Sequence, residues 1–155
     1  MKFLLFTLKC KVIFLDFDGV IVTKQNYNEP DPGLLDKLHK IIKATDPYIV
    51  ISSDWKKYNS TDKLRKLIQY DKIIGITPRL NTRWFDIEMF ESGGTFVPRG
   101  TEIKTWMEQA FVPEKFVILD DFDHLEPFLD RLIQTDPNIC LTDEQVKLAI
   151  RMLND

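Results

Sequence analysis

Four apolar residues in a row, Val12, Ile13, Phe14 and Leu15, run from Lys11 straight into Asp16. The run is too short for a buried helix and lacks the alternation of a half-exposed strand. It reads as a parallel strand buried on both faces. Such a strand needs cover above and below, and this constrains the fold more than any other feature. The pattern returns at residues 48–51, closed by Ser52, Ser53 and Asp54. It returns again at 73–76, stopped by Thr77 and Pro78, and at 115–119, which ends on Asp120 and Asp121. Residues 132–135 read as a fifth strand, and 3–8 as an extra edge strand or a loose start.

The segments between these runs carry helical spacing. Leu34, Leu35, Leu38, Ile41 and Ile42 follow Pro32 and Gly33, so 33–44 is expected to be a helix. Residues 60–70 read as a second, capped by Ser60 or Thr61, with Leu64, Leu67 and Ile68 on one face. Residues 100–110 read as a third, with Ile103, Trp106 and Met107 inward. Residues 142–153 form the last, with Thr142 as cap and Gln145 at the capping-box position. Residues 79–98 have no clear period and hold Trp84, Phe85, Phe90, Phe96 and Gly93-Gly94. They read as a loop, long enough to be functional. Alternating strands and helices predict an α/β fold: a three-layer open parallel sheet with helices on both faces. The length of 155 residues predicts one domain over 1–155.

Composition removes several classes. A net charge of −3 gives no overall basic excess for nucleic acid, although a local basic patch is compatible with it. Cys10 and Cys140 are too far apart in sequence for a metal-site spacing and too few for a disulfide framework, so two free thiols are expected. No stretch approaches the roughly 20 apolar residues of a membrane span. The apolar start is shorter than a signal-peptide core. These readings predict a cytoplasmic protein with no membrane partner, and leave its oligomeric state open.

The chemistry gathers at the strand ends. In open parallel sheets ligands bind at the carboxyl ends of the strands, where chain order reverses. Here those ends offer Asp16 and Asp18, Ser52 and Ser53, and Asp120 and Asp121. Asp16 and Asp18 stand two residues apart at this strand end, and Gly19 next to them permits the chain to turn. Four acids at one edge repel one another unless a cation sits among them. A hard divalent cation with oxygen ligands is the natural partner, and magnesium with phosphate is the common case.

These residues resemble the haloacid dehalogenase (HAD) superfamily of aspartate-nucleophile phosphotransferases. Residues 14–20, Phe-Leu-Asp-Phe-Asp-Gly-Val, are similar to its first motif. The strand ending in Ser52 is similar to the second. Arg99 stands where the third usually has Lys, with Lys104 and Lys115 as nearby alternatives. Residues 117–121 are similar to the fourth. In finer pattern the chain resembles the HAD domain of Swiss Army Knife RNA repair proteins, through residues 51–55, 75–78, 99–106, 118–121 and 141–142. The resemblance implies a HAD-like Rossmannoid fold and a magnesium-dependent phosphatase. Asp16 would be the nucleophile that forms an aspartyl-phosphate, and Asp18 the general acid–base. Asp16, the backbone carbonyl of Asp18 and Asp121 would bind magnesium, with Asp120 ligating directly or through water. Ser52 would hydrogen-bond the phosphoryl group, with Ser53 assisting, and Arg99 would supply positive charge to it. Cys140 stands where the pattern tends to have Gly, which affects a turn and not the chemistry.

Superfamily members choose substrates with inserted caps. The 33 residues between Asp18 and Ser52 leave no room for a large one, and the 46 between Ser52 and Arg99 must also hold a helix, a strand and the 79–98 loop. A minimal cap or none is expected, hence an open site and a large phosphorylated substrate such as an RNA or DNA end. Trp55, Lys56, Lys57, Arg79, Arg83 and Trp84 could line a groove, or Trp55 and Trp84 could simply pack. Trp106 is expected in the core, His39 on the surface, and His124 at a helix start or within reach of the site. Glu102, one turn from Arg99, is expected to orient it by an ion pair. The alternatives are a phosphatase of proteins or small metabolites and a non-catalytic binding protein on the same fold. A signalling receiver carries a similar set of acids, but with the acid pair first and the phosphorylated Asp in mid-chain; here the order is reversed.

Overall fold

The computed structural model describes residues 6–80 and 97–155. Its described elements are β1 (Thr7–Leu15), α1 (Pro32–Thr45), β2 (Tyr48–Ile51), α2 (Thr61–Ile68), β3 (Ile73–Ile76), α3 (Arg99–Gln109), β4 (Val112–Asp120), β5 (Leu132–Gln134) and α4 (Asp143–Asn154). The strands form one sheet in the order β3-β2-β1-β4-β5. Every pairing is parallel. The chain runs outward from β1 through β2 to β3, then returns to the other side of β1 as β4. The reversal of order therefore lies between β1 and β4, where a ligand crevice is expected.

Successive side chains of a strand point to opposite faces, and β1 shows the consequence. Ile13 and Leu15 join a core with Ile49, Ile51, Val117 and Leu119, covered by α1, α2 and α4. Val12 and Phe14 face the other way, into a second core with Val50, Ile118 and the α3 residues Ile103, Trp106 and Met107. That is the expected three-layer arrangement, with Trp106 in the core as its spacing predicted.

Local signals set most helix boundaries. Asp31 accepts from the backbone of Leu34 ahead of α1. Ser60 does the same for α2 through Lys63. Thr142 and Gln145 form the reciprocal capping box at α4. Helix α2 is shorter than expected because Gln69 takes a left-handed conformation, φ 55°. His39 bridges α1 to that end, its Nε2 lying 2.7 Å from Ile68 O, so it is a packing link and not a free surface residue.

The reading of residues 3–8 needs correction where it can be checked. Thr7 and Leu8 belong to the central strand β1 and pair with Val112 and Pro113 of β4. Both strands begin before their apolar runs because this end of the sheet is exposed and tolerates Lys9, Lys11 and Glu114. Residues 1–5 lie outside the described residues. So does most of the 79–98 loop, with Arg83, Trp84, Phe85, Phe90, Gly93, Gly94 and Phe96. Between Asp18 and Ser52 the chain makes a tight turn and α1, with no inserted cap domain.

Candidate active site

Register brings the strand ends together. Leu15 pairs with both Ile51 and Leu119, so Asp16, Ser52 and Asp120 each stand one residue past a shared level. Backbone bonds extend the ladder to them: Asp16 N donates to Leu119 O, and Ser52 N to Leu15 O, each at 3.0 Å. Asp16, Ser52 and Asp120 are almost wholly buried, at 4%, 0% and 0% exposure. Asp18 is exposed. A turn separates them, in which Val20, Ile21 and Val22 all donate to Phe17 O.

Gly19 serves that turn for two reasons. Its φ is +77°, a conformation that disfavours side chains, and a Cβ there would lie 2.5 Å from Asp121 Oδ2. The turn is tied across the sheet by Thr135 Oγ1, which donates to Gly19 O at 2.7 Å.

Arg99 closes the site from the first turn of α3. Its Nη1 lies 2.8 Å from Asp120 Oδ2 and 3.2 Å from Asp16 Oδ2. Asp54 Oδ1 stands 3.9 Å from Nη2. Gly100 makes this placement achievable. Its N donates to His124 O at 3.0 Å, and a Cβ would meet Glu126 O at 2.1 Å. The start of α3 therefore rests directly on the backbone that follows β4. Burial works against the charge of Arg99, but Asp16 and Asp120 outweigh it and hold the guanidinium protonated beyond its ordinary range. Of the alternative cations, Lys104 is exposed on α3. Lys115 pairs in register with Lys11, toward the far end of the sheet from the site.

The expected Arg99–Glu102 pair is not formed. Glu102 instead meets Lys56 at 3.5 Å, both side chains being nearly buried, and accepts from Leu80 N at 2.9 Å. Lys56 also donates to Thr77 Oγ1. Burial lowers its pKa, and Glu102 works against that shift. Helical spacing alone suggested Glu102 for Arg99; the carboxylates of two strands lie closer. Asp54 is a site residue that sequence reasoning passed over, although its position right after Ser52 and Ser53 was a signal.

Asp16, Asp120 and Asp121 each offer an oxygen, and these lie within 4.8 Å of one another. Asp120 is the most committed of the three: its Oδ1 accepts from Phe122 N and its Oδ2 from Arg99. Asp121 Oδ1 is buried and has no hydrogen-bond donor among the described residues. Burial raises the Asp16 pKa well above the carboxylate range, and the nearby Asp120 adds to this while Arg99 opposes it. Burial and Asp120 raise Asp121 as well. Of these three acids two meet the Arg99 guanidinium, and the third has one buried oxygen unsatisfied among the described residues. A hard divalent cation fits that donor set, through Asp16 and Asp121 foremost.

Two serines follow β2. The Ser52 hydroxyl is fully buried with no partner among the described residues, so it remains able to donate to a ligand. Ser53 Oγ accepts from Trp55 N at 3.2 Å and caps the short 3-10 turn Asp54–Lys57. That turn carries Trp55, whose Nε1 donates to Asp18 Oδ1 at 3.1 Å and whose ring packs on Phe17 at 5.1 Å. Trp55 thus both packs and touches the site. Lys57 pairs with Asp54 at 3.0 Å. His124 lies beside Phe122 beyond β4, stacked at 6.3 Å between ring centroids.

Among the described residues no helix is long and apolar enough to cross a membrane. No curated protein matches the chain significantly. The family model described as the HAD domain in Swiss Army Knife RNA repair proteins matches residues 12–146, from β1 into α4 and across every strand-end residue discussed above. The sheet order, the three strand-end motifs with Arg99 beside them and this match agree, and the chain belongs to that family of HAD domains.

Proposed function

We propose that this protein is a magnesium-dependent phosphohydrolase that works through an aspartyl-phosphate on Asp16, and that its substrate is a phosphate monoester of a nucleotide or a polynucleotide end. The observation that carries the reading is the arrangement around Asp16: a guanidinium at 3.2 Å and a buried, unpartnered serine hydroxyl at the neighbouring strand end. Family membership supports hydrolysis in general. The RNA end rests on the family's description and on the absence of an inserted cap domain between Asp18 and Ser52.

The Asp16 carboxylate attacks phosphorus while the bond to the leaving oxygen breaks, and Asp18 gives that oxygen a proton. Water then attacks the phosphorus of the aspartyl-phosphate, Asp18 takes its proton, and phosphate leaves with Asp16 restored. Trp55 holds Asp18 Oδ1, which leaves the other carboxylate oxygen to carry the proton. Arg99 and the Ser52 hydroxyl stabilise charge on the phosphoryl oxygens, with Ser53 shaping the turn beside them. Asp16, Asp121 and the Asp18 carbonyl would hold magnesium, with Asp120 ligating directly or through water. Bound there, the ion supplies neutralising charge between the carboxylates and the phosphoryl group. Cys10 and Cys140 are free thiols, which suits a reducing compartment, and we place the reaction in the cytoplasm.

The test is phosphate release, with and without magnesium, from an aryl phosphate, from short 3′- and 5′-phosphorylated RNA and DNA, and from free nucleotides. Magnesium-dependent turnover that Asp16→Asn abolishes is expected. No turnover on any of these would sink the hydrolase reading. Magnesium-dependent binding of a phosphate analogue would then identify a binding protein on the same fold.

A further inference from the structure

Beside Asp18 the surface opens into a cleft of about 500 Å³ lined by Asp18, Tyr27, Asn28, Asp54, Trp55, Tyr58 and Asn59. This lies within the roughly 300–1,000 Å³ of small-molecule sites. From this cleft we infer that the protein binds the nucleoside that carries the phosphate, with its base seated against Tyr27 and Tyr58. The inference rests on the reading of Asp18 as the acid that faces the leaving oxygen. Whatever fills a cleft walled by that acid is the body of the leaving group.

The lining defines the chemistry. Tyr27 and Tyr58 are 62% and 74% exposed, so their ring faces are open to a ligand in the cleft. Trp55 adds a third ring at the cleft wall, fixed by Phe17 and Asp18. Aromatic faces stack bases of any sequence. Asn28 and Asn59 bring amides, groups that pair with base edges. The Asn59 amide is fixed by its bond to Trp55 O at 2.9 Å. Among the described lining residues the charged groups are Asp18 and Asp54, both acids. A leaving group with further phosphates in the cleft would find no cation among the described lining residues, so the occupant is an uncharged ring system with hydrogen-bonding edges. A bare sugar shares some of this chemistry but would not need three rings.

The experiment compares kcat/KM for adenosine 3′-phosphate and adenosine 5′-phosphate with that for ribose 5-phosphate, in magnesium, for the wild type, Tyr58→Ala and Tyr27→Ala. The nucleotide should exceed ribose 5-phosphate, and each variant should shrink that ratio by about 5-fold to 150-fold, the range for loss of one base–aromatic stack. A ratio near one in the wild type, or a ratio that neither variant changes, overturns the inference. A phosphorylated trinucleotide in a parallel arm separates a polynucleotide end from a free nucleotide. If no substrate is turned over, the hydrolase reading fails and the cleft is judged by equilibrium binding. Adenosine 3′-phosphate binding at least about tenfold tighter than ribose 5-phosphate, with the difference reduced in Tyr58→Ala, supports the cleft. Equal binding of the two overturns it.

Discussion

Asp16 and Asp18 are two residues apart and live in opposite surroundings. Asp16 is buried between Phe17 N and Arg99 Nη1, beside Asp120 and Asp121. Asp18 is exposed at the mouth of the Tyr27–Tyr58 cleft and held by one bond from Trp55. In the buried half water cannot relax a charge, so each change there costs both fold and chemistry. In the open half water screens the charge, so chemistry can change while the fold does not. The turn that follows Asp16, with Gly19 at φ +77°, leaves one carboxylate in a dry crevice and the other in a wet cleft.

The largest effects should come from breaking the buried half. Asp16→Asn is expected to lower phosphate release by on the order of 10⁴-fold or more, the scale for removing a nucleophile. Arg99→Ala should destabilise the metal-free protein by about 3–5 kcal/mol, because it strands Asp16 and Asp120 as uncompensated buried acids. Urea denaturation measures this directly. Asp18→Asn is the counterpart from the open half. It should reduce kcat by about 10²-fold to 10⁴-fold while shifting stability by no more than about 0.5 kcal/mol. Equal stability losses for Arg99→Ala and Asp18→Asn would erase the distinction between the two halves.

Metal and proton should compete for the buried half. Burial raises the folded pKa of Asp16 and Asp121, so between the ordinary carboxylate range and those raised values the fold binds more protons than the unfolded chain. Their contribution to stability is therefore largest at acid pH and is lost as pH rises through the folded pKa. With EDTA, the wild type should lose more stability from pH 5 to pH 8 than Asp16→Asn does. Magnesium should stabilise the wild type more at pH 8 than at pH 5, because the deprotonated carboxylates bind it. A magnesium effect that is the same at both pH values would argue against a carboxylate site.

What was legible in the sequence follows the same division. Strand ends, the Thr142–Gln145 capping box and the buried acids were readable, because apolar runs and caps are local signals. The partner of Arg99 was not. Glu102 sits at helical spacing from it, but Asp16 and Asp120 come from strands that only the sheet brings together. The early start of β1 and β4 was hidden by Lys9, Lys11 and Glu114, which an exposed sheet end accommodates. The ends of α1 and α2 were blurred because Asp46 and Gln69 take the left-handed conformation that usually advertises itself as glycine. The cleft was invisible as well: Tyr27 and Tyr58 are 31 positions apart and share no pattern.

The smallest expected effect is the most telling for the open half. Trp55 has two roles, packing its ring on Phe17 and donating from Nε1 to Asp18. Trp55→Phe keeps an aromatic ring and removes the donor. If Trp55 orients Asp18, kcat on a nucleotide should fall by about 5-fold to 10-fold, the scale of one ordinary net hydrogen bond. Stability should stay within about 1 kcal/mol of the wild type, since the ring contact survives in part. A kcat that stays at the wild-type level would assign Trp55 to packing alone. A loss of stability as large as that of Arg99→Ala would move Asp18 and its turn into the buried half, and the division between the two carboxylates would no longer hold.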